Sequence, residues 1–272
     1  MTEDLLIQRI EETCGAIGME IAGQEDLLWR VPLDGVAARC SALSDPVLNL
    51  VGLAALPPES ADAGIAAVLD YYRAQGKTVS WIVGPTSRPG DLGARLVAQG
   101  FNLIPEEAMS GMVLTPLEVA APIAPGITVR QVSAAEAAPH HAMMAAAYGF
   151  PATEDFFKVW FLLLDALGDR AAFYLTWLEG VPDPVAWSSA LFHADGQTMA
   201  LGGSATLAAY RHRGLYTAMV AERLRDGRAR GCTTAVIQAV KATSAPICEK
   251  LGFRTICSLD MYNWWPPGPA PR

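Results

Sequence analysis

Between residues 115 and 126 the chain reads T-P-L-E-V-A-A-P-I-A-P-G, three prolines in twelve residues. Proline fixes φ and removes a backbone donor, so this segment favours an extended linker over a helix or a central strand. Any fold of the chain must accommodate that break, with residues 1–114 before it and residues 127–272 after it. The total of 272 residues exceeds the usual single-domain length of about 100–200, so two domains are the expectation. Hydrophobic residues make up 51% and charged residues 18%, enough apolar material for packed cores and too little charge for a disordered chain.

The half after the break alternates strands and helices. A short β-rich run at Ile127–Val132 precedes helical patterns at residues 134–148 and 153–167. In the second of these, Phe156, Phe157, Trp160, Leu163 and Leu164 recur at i, i+3 and i+4, the spacing of one buried helix face. Strands are predicted at Ala171–Leu178, at 184–192 and at 198–207, with Ala194-Asp195-Gly196 as a hairpin signal between the last two. A helix follows at residues 214–230, with Leu215, Ala218, Met219 and Leu224 on its buried side and Gly231 at its end. A strand at 233–239, a short helix at 244–251 with Pro246 in its first turn, and a β segment at Arg254–Trp264 complete the order. Trp264 and Trp265 lead into P-P-G-P-A-P-R, an extended tail; the tryptophans would cap a cleft or pack on the first domain, and their apolar area favours packing.

The first half echoes the end of this order. A strand at 46–56, a helix at 61–74 ended by Gly76, a strand at 78–83 and a helix at 91–98 are predicted, and L-V-A-Q-G-F ending at Phe101 parallels C-E-K-L-G-F ending at Phe253. Gly76 to Phe101 spans 25 residues and Gly231 to Phe253 spans 22, so a three-residue loop difference separates two copies of one α/β unit. The competing reading is coincidence, since Gly-Phe after a helix is a common C-terminal cap.

Net charge is −8 with a pI near 5.0. Such a chain lacks the basic footprint of a nucleic-acid binder and favours cationic partners, amines among them. No run approaches the roughly 18 apolar residues of a membrane span. Met-Thr-Glu-Asp at the start does not read as a secretory signal. The five cysteines, Cys14, Cys40, Cys232, Cys248 and Cys257, are odd in number and form no C-x-x-C pair. They indicate neither a disulfide framework nor a metal site, and they point to the cytoplasm.

Most of the chemistry is concentrated in S-A-T-L-A-A-Y-R-H-R-G-L-Y-T-A-M over Ser204–Met219. A strand ends, a loop carries Arg211, His212 and Arg213, and a helix begins at Gly214. The first turn of a helix offers unpaired N–H groups and the positive end of the macrodipole, a natural anion site. Gly214 removes a Cβ from the approach. The segment has neither the G-x-x-x-x-G-K-[ST] of a P-loop nor the three glycines of a Rossmann turn.

In this strand–loop–helix context, R-H-R-G-L-Y over Arg211–Tyr216 resembles the pyrophosphate loop [Q/R]-x-x-G-x-[G/A] of the GNAT acyltransferase superfamily. Tyr216 departs from the small last residue. Downstream, S-A-P-I-C-E-K-L-G-F over residues 244–253 is similar to that family's A-x-x-L-Y-x-K-x-G-F. The resemblance covers residues 127–264, and in the first half only the element order and L-V-A-Q-G-F. It implies an α/β fold of two GNAT-like mixed sheet-and-helix domains in tandem: a degenerate one at 1–114, the linker at 115–126, and an acetyl-CoA-binding one at 127–272. It also implies that Ala205, Thr206 and Leu207 pair with the pantetheine arm, and that the N–H groups of His212, Arg213, Gly214, Leu215, Tyr216 and Thr217 receive the pyrophosphate. The implied reaction is direct attack of a small-molecule or peptide amine on the acyl thioester. A main-chain N–H near Leu207 would steady the oxyanion.

Cys248 stands where the family often has a tyrosine that meets the thioester sulfur. It is a candidate proton donor, or a small core residue. A general base is not readable: His193 and Asp195 at the hairpin turn, Glu154 and Asp155 opening a helix, and His140 and His141 on another are each explained by caps or solvated surface. Two functions stay open on these residues, an active N-acyltransferase and a non-catalytic acyl-CoA-binding or scaffolding protein.

Overall fold

The computed structural model describes residues 1–15, 26–119, 123–149 and 154–267. Residues 120–122 of the expected linker, Thr153 of an expected helix, and the proline-rich tail from residue 268 lie outside them. The chain forms two compact units: one of Met1–Gly111, Ala239–Thr243 and the chain from Ile256 onward, the other of Met112–Gln238 and Ser244–Thr255.

The first half holds α1 (Glu3–Gly15), β1 (Leu28–Arg30), β2 (Ala37–Ser41), β3 (Leu50–Gly52), α2 (Ala61–Ala74), β4 (Val79–Val83), α3 (Leu92–Ala98), β5 (Asn102–Leu103) and β6 (Met109–Leu114). The strand expected over 46–56 shrinks to β3. Before it, the Arg39 guanidinium draws the Val47 and Leu48 carbonyls into a turn at 2.9 and 3.2 Å. After it, Leu53 turns left-handed at φ 49°, which ends a strand.

The second half holds β7 (Ile127–Val132), α4 (Ala134–Ala137), α5 (His141–Tyr148), α6 (Glu154–Leu167), β8 (Ala171–Leu178), β9 (Ala186–Phe192), β10 (Thr198–Thr206), α7 (Leu215–Ala229), β11 (Thr234–Val240), α8 (Ala245–Lys250) and β12 (Arg254–Trp264). The single helix expected over 134–148 is broken by a 3-10 turn at Ala138–His140, because Pro139 has no N–H for the α ladder. α4 starts with a capping box between Ser133 and Glu136. α6 buries Phe156, Phe157 and Leu164, one face at the expected spacing. The segment after β6 is packed at its start: Thr115 Oγ1 donates to the Thr233 carbonyl at 3.2 Å and Leu117 is buried.

In the second unit β7, β8, β9 and β10 are successively antiparallel, and β10 runs parallel to β11. In the first, β1–β2 and β2–β3 are antiparallel and β3 runs parallel to β4. Each unit therefore contains a strand–helix–strand crossover, β3–α2–β4 and β10–α7–β11. The Gly-Phe echo is a matched pair of Schellman caps. Gly100 and Gly252 are left-handed, and the next N–H, of Phe101 or Phe253, returns at 3.0 Å to the carbonyl of Leu96 or Cys248.

The last strand does not stay with its sequence neighbours. β12 pairs antiparallel with β4 from Asp260↔Val83 to Trp264↔Val79, and β5 adds to it at Tyr262↔Leu103. Tyr262 and Trp264 join the first unit's core with Ile65, Val68, Leu69, Tyr72, Trp81 and Phe101. The sequence division at 115–126 assigned this strand to the second half. Its alternating apolar residues find their cover on the β4 side of the first unit, where burial of an aromatic ring yields about 1.5–3 kcal/mol.

Candidate active site

β10 is the strand that organises the site. Its parallel pairing with β11 runs from Thr198↔Thr234 to Leu201↔Ile237 and goes no further. A bulge falls between Leu201 and Ser204, after which Ser204, Ala205 and Thr206 stay paired with Ser188, Trp187 and Ala186 of β9. The burial of β10 changes at the same point, from full over its first four residues to partial over Gly202–Thr206. Gly202 makes the bulge compact: a Cβ there would lie 2.2 Å from Ser189 Oγ. On the other face, a Cβ at Gly203 would meet the Trp160 and Trp187 rings at 3.3 Å, so aromatics wall that side.

The Leu207 N–H donates to the Val185 carbonyl at 3.0 Å. It is therefore engaged with β9 and is not the oxyanion donor expected there. Because an antiparallel ladder alternates, the main-chain groups of Ala205 also face β9, while those of Ser204 and Thr206 face away from it.

After β10 a 3-10 turn at Ala208–Tyr210 leads to Arg211, His212 and Gly214. His212 and Gly214 are left-handed, at φ 62° and 84°. Gly214 caps α7, and no side chain caps that end. The N–H groups of Leu215, Tyr216 and Thr217 therefore have no acceptor within the helix. The reason for glycine at 214 differs from the one expected. Its Cβ direction faces Ala124, at 3.2 Å, so what it supplies is the left-handed φ. Arg211 closes the loop, its Nε donating to the Thr206 carbonyl at 3.1 Å and Nη2 to the Ala147 carbonyl at 3.4 Å. Arg213 lies over the Tyr210 ring at 5.5 Å.

Beneath the bulge lies a buried polar cluster. Tyr216 Oη lies 3.5 Å from Cys248 Sγ, and Cys248 is fully buried. Burial raises the thiol above its ordinary range, opposed by Tyr216 and the Arg223 charge. Burial likewise holds the Tyr216 phenol well above the usual tyrosine range, opposed by Arg223 and a Ser204 hydrogen bond. Arg223 is 0% exposed. Its Nε donates to Met219 O at 3.0 Å, and its Nη1 to Ser189 O at 3.1 Å and Gly202 O at 3.4 Å. Nearby, Tyr174 Oη donates to Asp226 Oδ2 at 2.5 Å, and Asp226 also pairs with Arg230 at 3.0 Å.

Sequence reasoning missed Arg223, although its signal was present. It follows Leu215 and Met219 at steps of four, on the stripe where an apolar residue is expected. The base candidates lie elsewhere. Asp195 accepts the Gln197 and Thr198 N–H groups at 2.9 and 2.8 Å, so with His193 it closes the turn before β10. By strand rise that is about 25 Å from the β10 exit. Asp155 is exposed and pairs with Lys158; His141 Nδ1 contacts Ala138 O within its own helix turn.

The connection from β3 to α2 in the first unit differs from this one, although α2 too starts without a side-chain cap. The Ala55 N–H donates to Gly35 O at 2.7 Å and the Leu56 N–H to Arg88 O at 3.2 Å. Pro57 and Pro58, which follow, have no N–H to offer.

Residues 140–253 match the model of the acetyltransferase (GNAT) family, and they contain the strand, loop and helices just described. Solved structures agree in fold. A GCN5-related N-acetyltransferase from Kribbella flavida is similar at 19% identity and a TM-score of 0.68, over 95% of this chain and 96% of that one. A tandem GNAT protein from the clavulanic acid biosynthesis pathway is similar at 15% identity and a TM-score of 0.62, over 94% and 89%. A GCN5-related N-acetyltransferase from Sphaerobacter thermophilus is similar at 18% identity and a TM-score of 0.56, over 84% and 76%. No curated protein matches the chain. The fold is the mixed α/β fold of these N-acetyltransferase structures. The chain contains a domain at residues 140–253 that matches the acetyltransferase (GNAT) family.

Proposed function

We propose that the second unit is an acyl-CoA-dependent N-acyltransferase, with acetyl-CoA as donor and a primary amine of a small molecule or peptide as acceptor. The observation that carries this reading is the parting of β10 from β11 after Leu201, directly upstream of the uncapped start of α7. A half-paired strand edge suits an amide-containing arm such as pantetheine. A helix start with free N–H groups suits pyrophosphate.

On this reading the main-chain groups of Ser204 and the N–H of Thr206, whose carbonyl is held by Arg211, face the arm, and Ala205 and Leu207 line it from the β9-paired register. His212, Arg213, Gly214, Leu215, Tyr216 and Thr217 surround the phosphates. Arg211, bound to two carbonyls, shapes the loop. We read the first unit as a degenerate copy without a donor site, because before α2 the Ala55 and Leu56 N–H groups are bonded, Pro57 and Pro58 have none, and no arginine loop precedes the helix. Cys248 is packing material beside the reacting end: a buried thiol held above its ordinary range is a poor proton donor at neutral pH and a poor nucleophile.

The test is turnover of acetyl-CoA against a panel of amines, followed by release of free CoA thiol. Cys248→Ala is assayed alongside and is expected to stay within about tenfold of the parent. Tight acetyl-CoA binding with no transfer to any amine would favour a non-catalytic acyl-CoA-binding role. A loss above about 10²-fold in a folded, CoA-competent Cys248→Ala would make the thiol catalytic.

A further inference from the structure

Arg211 opens the loop whose later residues lead into α7, yet its guanidinium is committed elsewhere. Nε donates to the Thr206 carbonyl at 3.1 Å and Nη2 to the Ala147 carbonyl at 3.4 Å. Thr206 is the last residue of β10, and Ala147 the last but one of α5. The planar fork of arginine donates in several fixed directions, and here it bridges a strand end and a helix end. The last carbonyls of a helix have no acceptor role left within it, so Ala147, itself buried, gains a partner that α5 cannot supply. The end of α5 is tied to β9 and β10 from a second direction as well. The Met144 carbonyl accepts from Trp187 Nε1 at 3.0 Å, and the Tyr148 ring stacks on Trp187 at 5.5 Å and 27°. Trp187 stands opposite Ala205, and its ring meets the Cβ direction of Gly203 at 3.3 Å. Thr206, Arg211, Ala147, Tyr148, Trp187 and Gly203 therefore form a closed circuit of contacts around the half-paired end of β10.

We propose that Arg211 is a positioning residue that couples the two substrates: it ties the strand end that takes the donor arm to the helix end past which the amine enters. The assignment rests on the acyl-transfer reading above. On that reading, phosphates at the start of α7 put one end of the arm near Thr206 and its acyl end at the bulge. One face of the bulge is closed by the buried cluster, with Arg223 and Cys248 both 0% exposed. The other is walled by Trp160 and Trp187, and that wall meets solvent at Tyr148, 42% exposed. The amine reaches the acyl carbon past Tyr148. The Thr206 N–H faces the arm while the Thr206 carbonyl is held by Arg211, so seating the arm fixes the strand end that the guanidinium grips. The bridge carries that order to Ala147, and with it the next residue, Tyr148, is held against Trp187. Such coupling is reciprocal: a seated donor strengthens the hold on the amine, and a seated amine strengthens the hold on the donor. The role is distinct from phosphate binding, which falls to the main-chain N–H groups farther along the loop.

The experiment compares the full chain with its Arg211→Met variant, which keeps the reach of the side chain and removes its donors. Coenzyme A alone is the first probe, and amide exchange is read by NMR at Ser204 and Thr206 and at Tyr148 and Gly149. In the parent, coenzyme A is expected to slow exchange at both places by about threefold or more. In Arg211→Met the slowing at Ser204 and Thr206 persists and that at Tyr148 and Gly149 is lost. Slowing at α5 that survives the substitution overturns the coupling, as does a parent slowed at Ser204 and Thr206 alone. A parent slowed nowhere overturns acyl-CoA binding at this edge and this role with it. Turnover is the second readout, with the amine of the panel above that the parent acetylates fastest. Arg211→Met is expected to raise the KM for that amine by about 5–20-fold, the ordinary size of coupling between sites, with kcat and the acetyl-CoA KM changed by less than about threefold. An unchanged amine KM overturns the proposal, and so does a loss confined to the acetyl-CoA KM, which would make Arg211 a phosphate ligand. Tyr148→Ala should raise the amine KM too, and adding Arg211→Met should raise it no further; rises that multiply mean that the two residues act apart, and overturn the circuit. A parent that transfers to no amine overturns the acyltransferase function together with this role, whereas an active parent with an unaltered amine KM in Arg211→Met overturns this role alone.

Discussion

Gly214 and Gly76 are both left-handed, at φ 84° and 63°, yet they sit at ends of helices with different tasks. Gly76 follows α2, and a Cβ there would meet nothing within 4 Å. Gly214 precedes α7, and its Cβ would press on Ala124 at 3.2 Å. Replacing either by alanine is expected to cost about 1–2 kcal/mol of stability through the unfavourable φ. Only Gly214→Ala should also weaken CoA binding, by about tenfold, because relief of strain there moves the N–H groups of the first turn. Isothermal titration with CoA on both variants, after their melting curves, checks this; equal loss of affinity would place phosphate recognition elsewhere. At this scale the sequence revealed the loop but not its contacts. R-H-R-G read correctly as a loop entering a helix, whereas the engaged N–H of Leu207 and the charge of Arg223 depend on register and burial, which no local pattern encodes.

Elements were legible where periodicity was strong. α6, α7, β8 and the β9–β10 hairpin follow their apolar spacing and turn residues to within one or two positions. The break at Pro139 and the shortening to β3 needed, respectively, a backbone donor count and a side chain from another strand. α1, β1 and β2 gave no signal that the sequence reading used. The bulge in β10 was invisible, although G-G at residues 202 and 203 is the kind of cue that marks one. The bulge carries a prediction about main-chain protection. Ala205 and Leu207 are turned toward β9, and Ser204 and Thr206 away from it, so acetyl-CoA should slow amide exchange at Ser204 and Thr206 with little change at Ala205 and Leu207. Hydrogen exchange read by NMR with and without acetyl-CoA tests it; uniform slowing across the four would mean that the arm does not pair with this edge.

For the whole molecule, the proline-rich segment suggests a cut that the structure does not favour. A fragment of residues 127–272 would lose Leu117, which is buried, and the Leu117 carbonyl that accepts from Arg228. It would also expose Leu259, Tyr262 and Trp264, buried in the full chain. The fragment alone is expected to aggregate or melt without cooperativity. Mixed with a fragment of residues 1–126, it should recover a cooperative transition, as β12 regains β4. Thermal melts of each fragment and of the mixture decide this; an independently folded 127–272 fragment would show that the return of β12 is dispensable.

That returning strand also sets a timetable for synthesis. Domains emerging from a ribosome generally close from the N-terminus first. Here β4 is made early, but its partner β12 ends at Trp264. At ordinary translation speeds of about 5–20 residues per second, the roughly 180 residues between them take about 9–36 s. During that interval the first unit has an open strand edge, the kind of surface that invites pairing with another chain, and by its end the second unit has gained β7 to β11. The unit begun first is the last to close, and a premature stop within β12 would damage the end of the molecule that was made earliest.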